Sequence, residues 1–281
     1  LSGSVSTTKN YVWAKNKTLG FGEFAKHFHL KQDLMLHELT QEMLDDLIAN
    51  RRDEGMKPNS INVELRVLRI VVNKFKGTHK APSINGIKTI KGFVKTRYLS
   101  DKEESAVLAK LSGMEGVGAA NAYDLCVFLL DTGCRLSEAL NIEWDMLDLE
   151  LGEYEVYRIK TQSHDVIPLS PRLVDILKRR RNYEKPFVSM DYSIKVLRKV
   201  LDDLCNKNTV VNQQKGKVTP HALRDTYASR LVKEGLTLHE LSNLLGHTTA
   251  AMSAKYSHLE NRDVAAKARA LMTQRHSNNN H

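Results

Sequence analysis

Thr219-Pro220-His221-Ala222-Leu223-Arg224, followed by Leu245-Gly246-His247 and by Lys255-Tyr256, is the stretch from which the rest of this 281-residue chain is read. Pro220 suits the first turn of a helix, where its missing N–H costs nothing. His221 and Arg224, three residues apart, then share one helical face. Gly246 is a residue that ends a helix or lets the backbone approach a ligand closely. Tyr256 lies nine residues beyond His247. Two imidazoles, a guanidinium and a phenol within 36 residues outline a site for an anion and a nucleophile. No Asp or Glu is expected beside them to hold a metal, and no glycine-rich phosphate loop precedes them.

Upstream stands Asp131-Thr132-Gly133-Cys134-Arg135-Leu136-Ser137-Glu138-Ala139-Leu140. With it, the set resembles the tyrosine recombinase (phage integrase) family, whose members show an Arg in T-G-x-R-x-S-E, then H-x-x-R, then L-G-H, then a Tyr. H-x-x-R alone arises often by chance, but here all four elements occur in order at the family's usual spacing. The resemblance covers residues 98–275 and extends more loosely over the first 97. It implies a mainly α fold with a small antiparallel β hairpin or sheet, in two domains. Residues 1–80 are then a helical core-binding domain that grips DNA, 81–97 a basic interdomain linker, and 98–275 a mixed α/β catalytic domain. Residues 276–281 are read as a disordered tail.

The resemblance also implies a function. A site-specific recombinase or integrase of a phage or mobile genetic element would cleave and rejoin DNA through a 3′-phosphotyrosyl intermediate, without metal, ATP or other cofactor. Arg135, Lys160, His221, Arg224 and His247 would be catalytic, with Tyr256 the nucleophile. Its partners would be double-stranded DNA attachment sites, three further copies in a homotetramer on synapsed DNA, and accessory DNA-bending or directionality proteins. The expected location is the cytoplasm of a bacterial host, at the nucleoid.

Charge agrees with a polyanionic partner. The net charge is +9, and residues 1–97 hold 17 Lys/Arg against 9 Asp/Glu, while the other 184 hold 25 against 24. Between positions 74 and 97 seven cations (Lys74, Lys76, Lys80, Lys88, Lys91, Lys95 and Arg97) occur without one acid. Gly77, Pro82, Gly86 and Gly92 break regular structure there. Such a run commonly marks a solvated face. Between two domains it suits a linker that tracks backbone phosphates and reads no sequence. Lys88, Lys91 and Lys95 are the DNA-contact candidates of the linker, and Arg66 and Arg69 those of the preceding helix. Cys126, Cys134 and Cys205 show neither metal spacing nor a paired framework, which fits a reducing compartment. No apolar run approaches a membrane span and no signal peptide is visible. The start at Leu1 rather than Met suggests that earlier residues were removed.

Along the chain, residues 4–28 read as helical with a break at Gly20 and Gly22. Thr40 is an N-cap for Gln41 onward, with acids in the first turn, and Gly55 is a stop. Asn59 or Ser60 caps a helix with Ile61, Leu65, Leu68, Val72 and Phe75 as its apolar stripe. Ser100 caps the first catalytic-domain helix. Residues 121–132 form an apolar helix that delivers Gly133 and Arg135, and Ser137 caps a short helix from Glu138 to Trp144. Residues 153–160 alternate as a strand and pair with 166–169 across a turn at 161–164. This resembles the family's hairpin, with Lys160 at the position of its catalytic lysine. Arg179, Arg180 and Arg181 are read as solvent-exposed, and 206–218 as a loop. Helices follow at 221–233 and 238–245. A last helix, Arg262 to Gln274, carries a stripe of Val264, Ala268, Leu271 and Met272 suited to exchange between protomers.

Each site residue alone has a structural explanation. Arg135 would be a helix-start arginine, His247 a satisfied core histidine, and Tyr256 a half-buried core tyrosine. The four ordered elements together outweigh these. Two arginines would clamp the non-bridging phosphate oxygens, doing the electrostatic work that a metal does elsewhere. Glu138 would orient Arg135 or His221 from behind. Lys160, by the resemblance, is the acid for the 5′ oxygen. Two other functions share these residues: a type IB topoisomerase-like relaxing enzyme, and a catalytically silent DNA-binding protein. Relaxation without joining two sites would mark the first, and a covalent protein–DNA adduct would exclude the second.

Overall fold

The computed structural model describes residues 36–79, 81–91, 96–158, 163–188, 190–246, 250–259 and 269. The chain divides into two compact units, Leu1–Phe93 and Val94–His281.

In the first unit a 3₁₀ turn, Leu36–Glu38, leads into α1 (Gln41–Asp53). Thr40 caps it as expected, its hydroxyl accepting the Met43 N–H at 3.2 Å. Gly55, at φ 75°, turns the chain. The next helix, α2 (Pro58–Lys74), opens on Pro58 after an extended Lys57 rather than on Asn59 or Ser60. A proline at the first helical position sets the entry without a side-chain cap. Leu44 and Leu47 of α1 pack on Ile61, Leu65 and Leu68 of α2, all buried. Each such side chain stabilises by roughly 1.5–3 kcal/mol. The same core holds one buried ion pair, Arg51 Nε to Glu64 Oε2 at 2.9 Å.

The segment read as the start of a free linker packs on this core. Ile84, Ile87 and Ile90 lie against it. Asn62 and Arg69 hold the segment from α2. Asn62 exchanges two hydrogen bonds with the backbone of Ile90, at 2.8 and 2.9 Å. The Arg69 guanidinium donates to the Ile87 carbonyl at 2.6 and 3.0 Å and to the Thr89 hydroxyl at 3.1 Å. An isoleucine every third residue is a core signal that the surrounding lysines conceal.

The second unit is mainly helical with one small sheet. Its elements are α3 (Asp101–Ser112), α4 (Val117–Thr132), α5 (Leu136–Ala139), β1 (Leu147–Asp148), β2 (Glu153–Arg158), β3 (Ser163–Pro168), α6 (Pro171–Arg179), α7 (Asp191–Cys205), α8 (Thr209–Lys215), α9 (Pro220–Lys233), α10 (Leu238–Leu245) and α11 (Ala250–Ala254). Apolar on nearly every face, α4 is the central helix, with α3, α6, α7 and α9 packed around it. Ser100 and Glu103 close a capping box at the start of α3. The sheet is antiparallel in the order β1-β2-β3. Tyr154 and Val156 of β2 and Ile167 of β3 face the core, leaving Glu155 and Val166 outside.

Several local expectations change. Ser163 and His164, read as part of the turn, already pair with Arg158 and Tyr157. Ser137 caps nothing: α5 starts after Arg135 and spans four residues, and a 3₁₀ turn at Trp144–Met146 replaces its expected end. Arg180 is 3 % exposed, not solvated. It bonds Asp124 and Asn121 of α4 and the Pro186 carbonyl. Buried Asp124 demands a cation, and no pattern along the sequence reveals that demand. The polar stretch 206–218 contains α8, capped by Asn208 and closed by Asn206, which bonds both backbone groups of Val218. Residues 4–28, the tail and, apart from Arg269, the segment 262–274 expected to be a helix lie outside the described residues. Cys126, Cys134 and Cys205 are all buried, and none is in a disulfide. Among the described residues no helix is long and apolar enough to cross a membrane.

Candidate active site

The site begins where α4 stops. Gly133 takes a left-handed conformation, φ 62°, and its N–H closes on the Leu129 carbonyl at 3.1 Å. A Cβ at this position would lie 2.3 Å from Cδ1 of Tyr227 on α9. Gly133 thus satisfies both the turn and the close approach of α4 to α9. Two residues later Arg135 enters α5. Its backbone N–H donates to Glu138 Oε2 at 2.8 Å and its guanidinium to Oε1 at 2.6 Å. Burial alone would raise the Glu138 carboxyl. The Arg135 backbone and guanidinium, with Arg224 nearby, outweigh burial and hold it below the usual carboxylate range. Glu138 is therefore a charged buttress behind Arg135.

Arg224 comes from the first turns of α9 and is 3 % exposed. One guanidinium nitrogen donates to the Gly133 carbonyl at 2.7 Å and another to the Leu245 carbonyl at 2.6 Å. Leu245 ends α10, and Gly246 follows at φ 61°. A single guanidinium thus joins the turn of T-G-x-R to the turn of L-G-H. His221, one helical turn before Arg224, reaches the surface. Partial burial lowers its affinity for a proton, and Lys255, Arg224 and Arg135 add to this against the opposing pull of Asp225. A ring held below its ordinary value of about 6.5 is mainly neutral at pH 7 and able to accept a proton. A cleft of about 480 Å³ lies beside it, lined by Leu136, Arg198, Lys217, Thr219 and His221.

Tyr256 is fully buried. It packs with Tyr227, Ala228, Val232, Leu241, Leu245 and Leu259. Its hydroxyl donates to Asp225 Oδ1 at 2.6 Å, and Lys255 Nζ donates to the same oxygen at 2.5 Å. Burial, then the Asp225 charge and hydrogen bond, push the phenol far above its ordinary value, while Arg224 pulls it down. The expectation that no acid stands beside these groups is thereby corrected. Asp225 follows Arg224 in sequence but turns toward Tyr256. Its position four residues after His221 puts it on the His221 face, a spacing that marks it once Tyr256 is suspected.

Of the expected site residues, Arg135, His221, Arg224 and Tyr256 come together, with Glu138, Asp225 and Lys255 around them. Lys160 and His247 lie outside the described residues. In the first unit Arg66, Lys88 and Lys91 are exposed, and Arg69 is engaged with Ile87 and Thr89 as described; Lys95, beyond that unit, lies outside the described residues. Among the described residues no cluster of three or more His, Cys, Asp or Glu could hold a metal.

A buried arginine joining two glycine turns, a second arginine braced by a glutamate, an open histidine and a tyrosine are thus gathered from separated segments of one domain. The sequence model described as "Phage integrase family" matches residues 97–262, more than half of the chain, and the chain belongs to that family of tyrosine recombinases. It is 24 % identical over 276 residues to tyrosine recombinase XerC of Staphylococcus carnosus, covering 93 % of this chain and 89 % of the relative. Its fold resembles a lambda integrase dimer bound to a COC′ core site, with TM-score 0.69, 16 % identity, and 91 % and 89 % of the two chains covered. The Tn1549 transposon integrase in complex with transposon right end DNA matches at TM-score 0.65 and 15 % identity, over 93 % and 98 % of the chains. At these identities the solved structures speak for the fold.

Proposed function

We propose that this tyrosine recombinase cleaves and rejoins DNA at specific sites through a 3′-phosphotyrosyl intermediate at Tyr256. One observation carries the reading: Arg224 ties the turn before Arg135 to the turn that ends α10, which supports a shared site for residues distant in sequence. Arg135 and Arg224 neutralise the scissile phosphate with fixed charge, so that negative charge growing on its oxygens is stabilised without a metal. The Tyr256 phenol oxygen bonds to phosphorus and the bond to the 5′ oxygen breaks. The phenol proton passes to neutral His221. The departing 5′ oxygen takes a proton from Lys160, and His247 hydrogen-bonds the phosphate, both roles resting on the family resemblance. The phosphodiester energy stays in the tyrosyl linkage, and attack by a second 5′ hydroxyl rejoins the strands, so no ATP is consumed.

Assembly and source follow from the same reading. Exchange of four strand ends requires four active sites, hence a tetramer on two synapsed duplexes. Membership of the phage integrase family supports a phage or mobile-element role. The test is covalent capture on nicked duplexes taken from the DNA adjoining the protein's own coding sequence. The DNA-bearing peptide should contain Tyr256, and Tyr256→Phe should bind the same duplex yet form no adduct. An adduct that persists in Tyr256→Phe would place the nucleophile elsewhere. Cleavage that EDTA abolishes and only magnesium restores would remove the two-arginine mechanism.

A further inference from the structure

The phenol and the carboxylate of Asp225 form a contact that the cleavage reaction does not use. Tyr256 has no exposed surface, so in this arrangement its oxygen reaches no phosphate. Asp225 lies four residues, one helical turn or about 6 Å, beyond His221 on the same face of α9. The nucleophile is thus docked one turn past the histidine that opens on the cleft. Two donors from one short segment, the Lys255 ammonium and the Tyr256 hydroxyl, converge on a single oxygen, Asp225 Oδ1. Lys255 also lies 4.9 Å from the centroid of the Tyr256 ring.

Two roles for Asp225 fit such a contact: it could accept the phenol proton during attack, or hold the phenol in reserve. Chemistry decides between them. An ordinary carboxylate titrates about six pH units below an ordinary phenol, so it is a poor sink for that proton. Lys255 on the same oxygen weakens it further as a base. As a hydrogen-bond acceptor the same carboxylate is strong, because the bond is charge-assisted. The arrangement stabilises the protonated, withdrawn phenol.

We infer that Asp225 is a positioning residue that latches Tyr256 and Lys255 in a standby position, from which the phenol must be released to reach a phosphate held by Arg135 and Arg224. This rests on Tyr256 being the nucleophile. The latch also gives Lys255 a purpose. Its ammonium neutralises Asp225 while the phenol is docked, and a DNA phosphate entering the site offers both donors another anion. Release is then coupled to substrate without a separate signal.

The test uses the full chain without DNA. Acetylation by N-acetylimidazole is followed at each tyrosine by peptide mass spectrometry, with Tyr192, 68 % exposed, as the internal reference. In the unaltered protein Tyr256 should react at least tenfold more slowly than Tyr192. In Asp225→Asn, which keeps the side chain's shape but loses its charge, Tyr256 should react about tenfold faster than before. On a nicked duplex this variant should form the covalent adduct at least as fast as the unaltered protein, with duplex affinity unchanged. If Asp225→Asn loses its melting transition, Asp225→Ser carries the same test.

Equal acetylation of Tyr256 and Tyr192 in the unaltered protein ends the proposal, as does continued resistance of Tyr256 in a folded Asp225 variant. Loss of the adduct with Tyr256 freed would make the carboxylate part of the chemistry rather than a latch. The nucleophile reading is judged separately, by which peptide carries DNA in the unaltered protein. DNA on another tyrosine, with Tyr256 still freed by Asp225→Asn, would remove that reading and leave the docking contact.

Discussion

Arg135 and Arg224 bring the same charge to the same site and are held in opposite ways. The Arg135 side chain is 35 % exposed and braced by an ionised glutamate. Arg224 is 3 % exposed and bonded to two neutral backbone carbonyls, Gly133 and Leu245, that end two different helices. Solvent can replace the partner of an exposed ion pair at little cost. It cannot reach buried carbonyls, each of which costs about 1–3 kcal/mol when stranded. One arginine is therefore held on a braced arm. The other is a buried joint between two turns.

The largest effect should come from the joint. Arg224→Ala should destabilise the second unit by about 2–6 kcal/mol, summing two stranded carbonyls, and should leave no detectable adduct. Urea unfolding followed with the adduct assay checks both. A variant inactive but as stable as the parent would mean that the two carbonyl bonds contribute nothing net. Arg135→Ala should cost about 10²–10³ in cleavage rate, the usual loss for one fixed donor at a developing oxyanion, with stability changed by less than about 1 kcal/mol. Comparable stability losses in the two variants would erase the distinction.

The next consequence is in the pH profile. Partial burial, then Lys255 and both arginines, lower the His221 proton affinity against the pull of Asp225. Cleavage should fall on the acid side as His221 gains its proton, with an apparent pKa below about 6.5. Arg135→Ala should move that limb to higher pH, because one repelling cation is gone. No movement would mean that the limb belongs to another group. The sign also holds for folding: the folded state holds this proton less tightly than the unfolded chain, so stability declines as pH falls below about 6.5.

The smallest change should come from the brace. Glu138→Gln keeps one acceptor, for the Arg135 backbone, but loses the charge and the second oxygen that accepts from the guanidinium, so cleavage should drop by about tenfold or less, with stability lower by about 1 kcal/mol. A loss as large as that of Arg135→Ala would make Glu138 an equal participant in the chemistry rather than its support.

What was legible along the chain was what depends on short range. The Thr40 and Ser100 caps, the buried stripe of α2, the apolar α4 and the alternation of β2 all follow from neighbouring residues and a regular period. Arg135, His221, Arg224 and Tyr256 were singled out because their motifs have fixed order. What escaped were partners distant in sequence. Asp124 recruits Arg180 from 56 residues away, so a run of three arginines that looks solvated has a buried centre. Ile84, Ile87 and Ile90 belong to the core of α1 and α2, although glycine, proline and lysine around them read as linker. Asn206 folds a polar segment onto itself through Val218, twelve residues on.

The sequence by itself determined the family and the mainly α fold with its small sheet, and it singled out the central charged groups, because motif spacing and helical period survive in one dimension. Tertiary structure alone decided the state of those groups. It made Arg224 a buried joint by bringing two carbonyls, 91 residues before it and 21 after it, within hydrogen-bond reach. It also set Tyr256 on Asp225, 31 residues away. Burial and the charge of a neighbour control whether a phenol is poised or held back, and both are properties of the packed domain rather than of any segment.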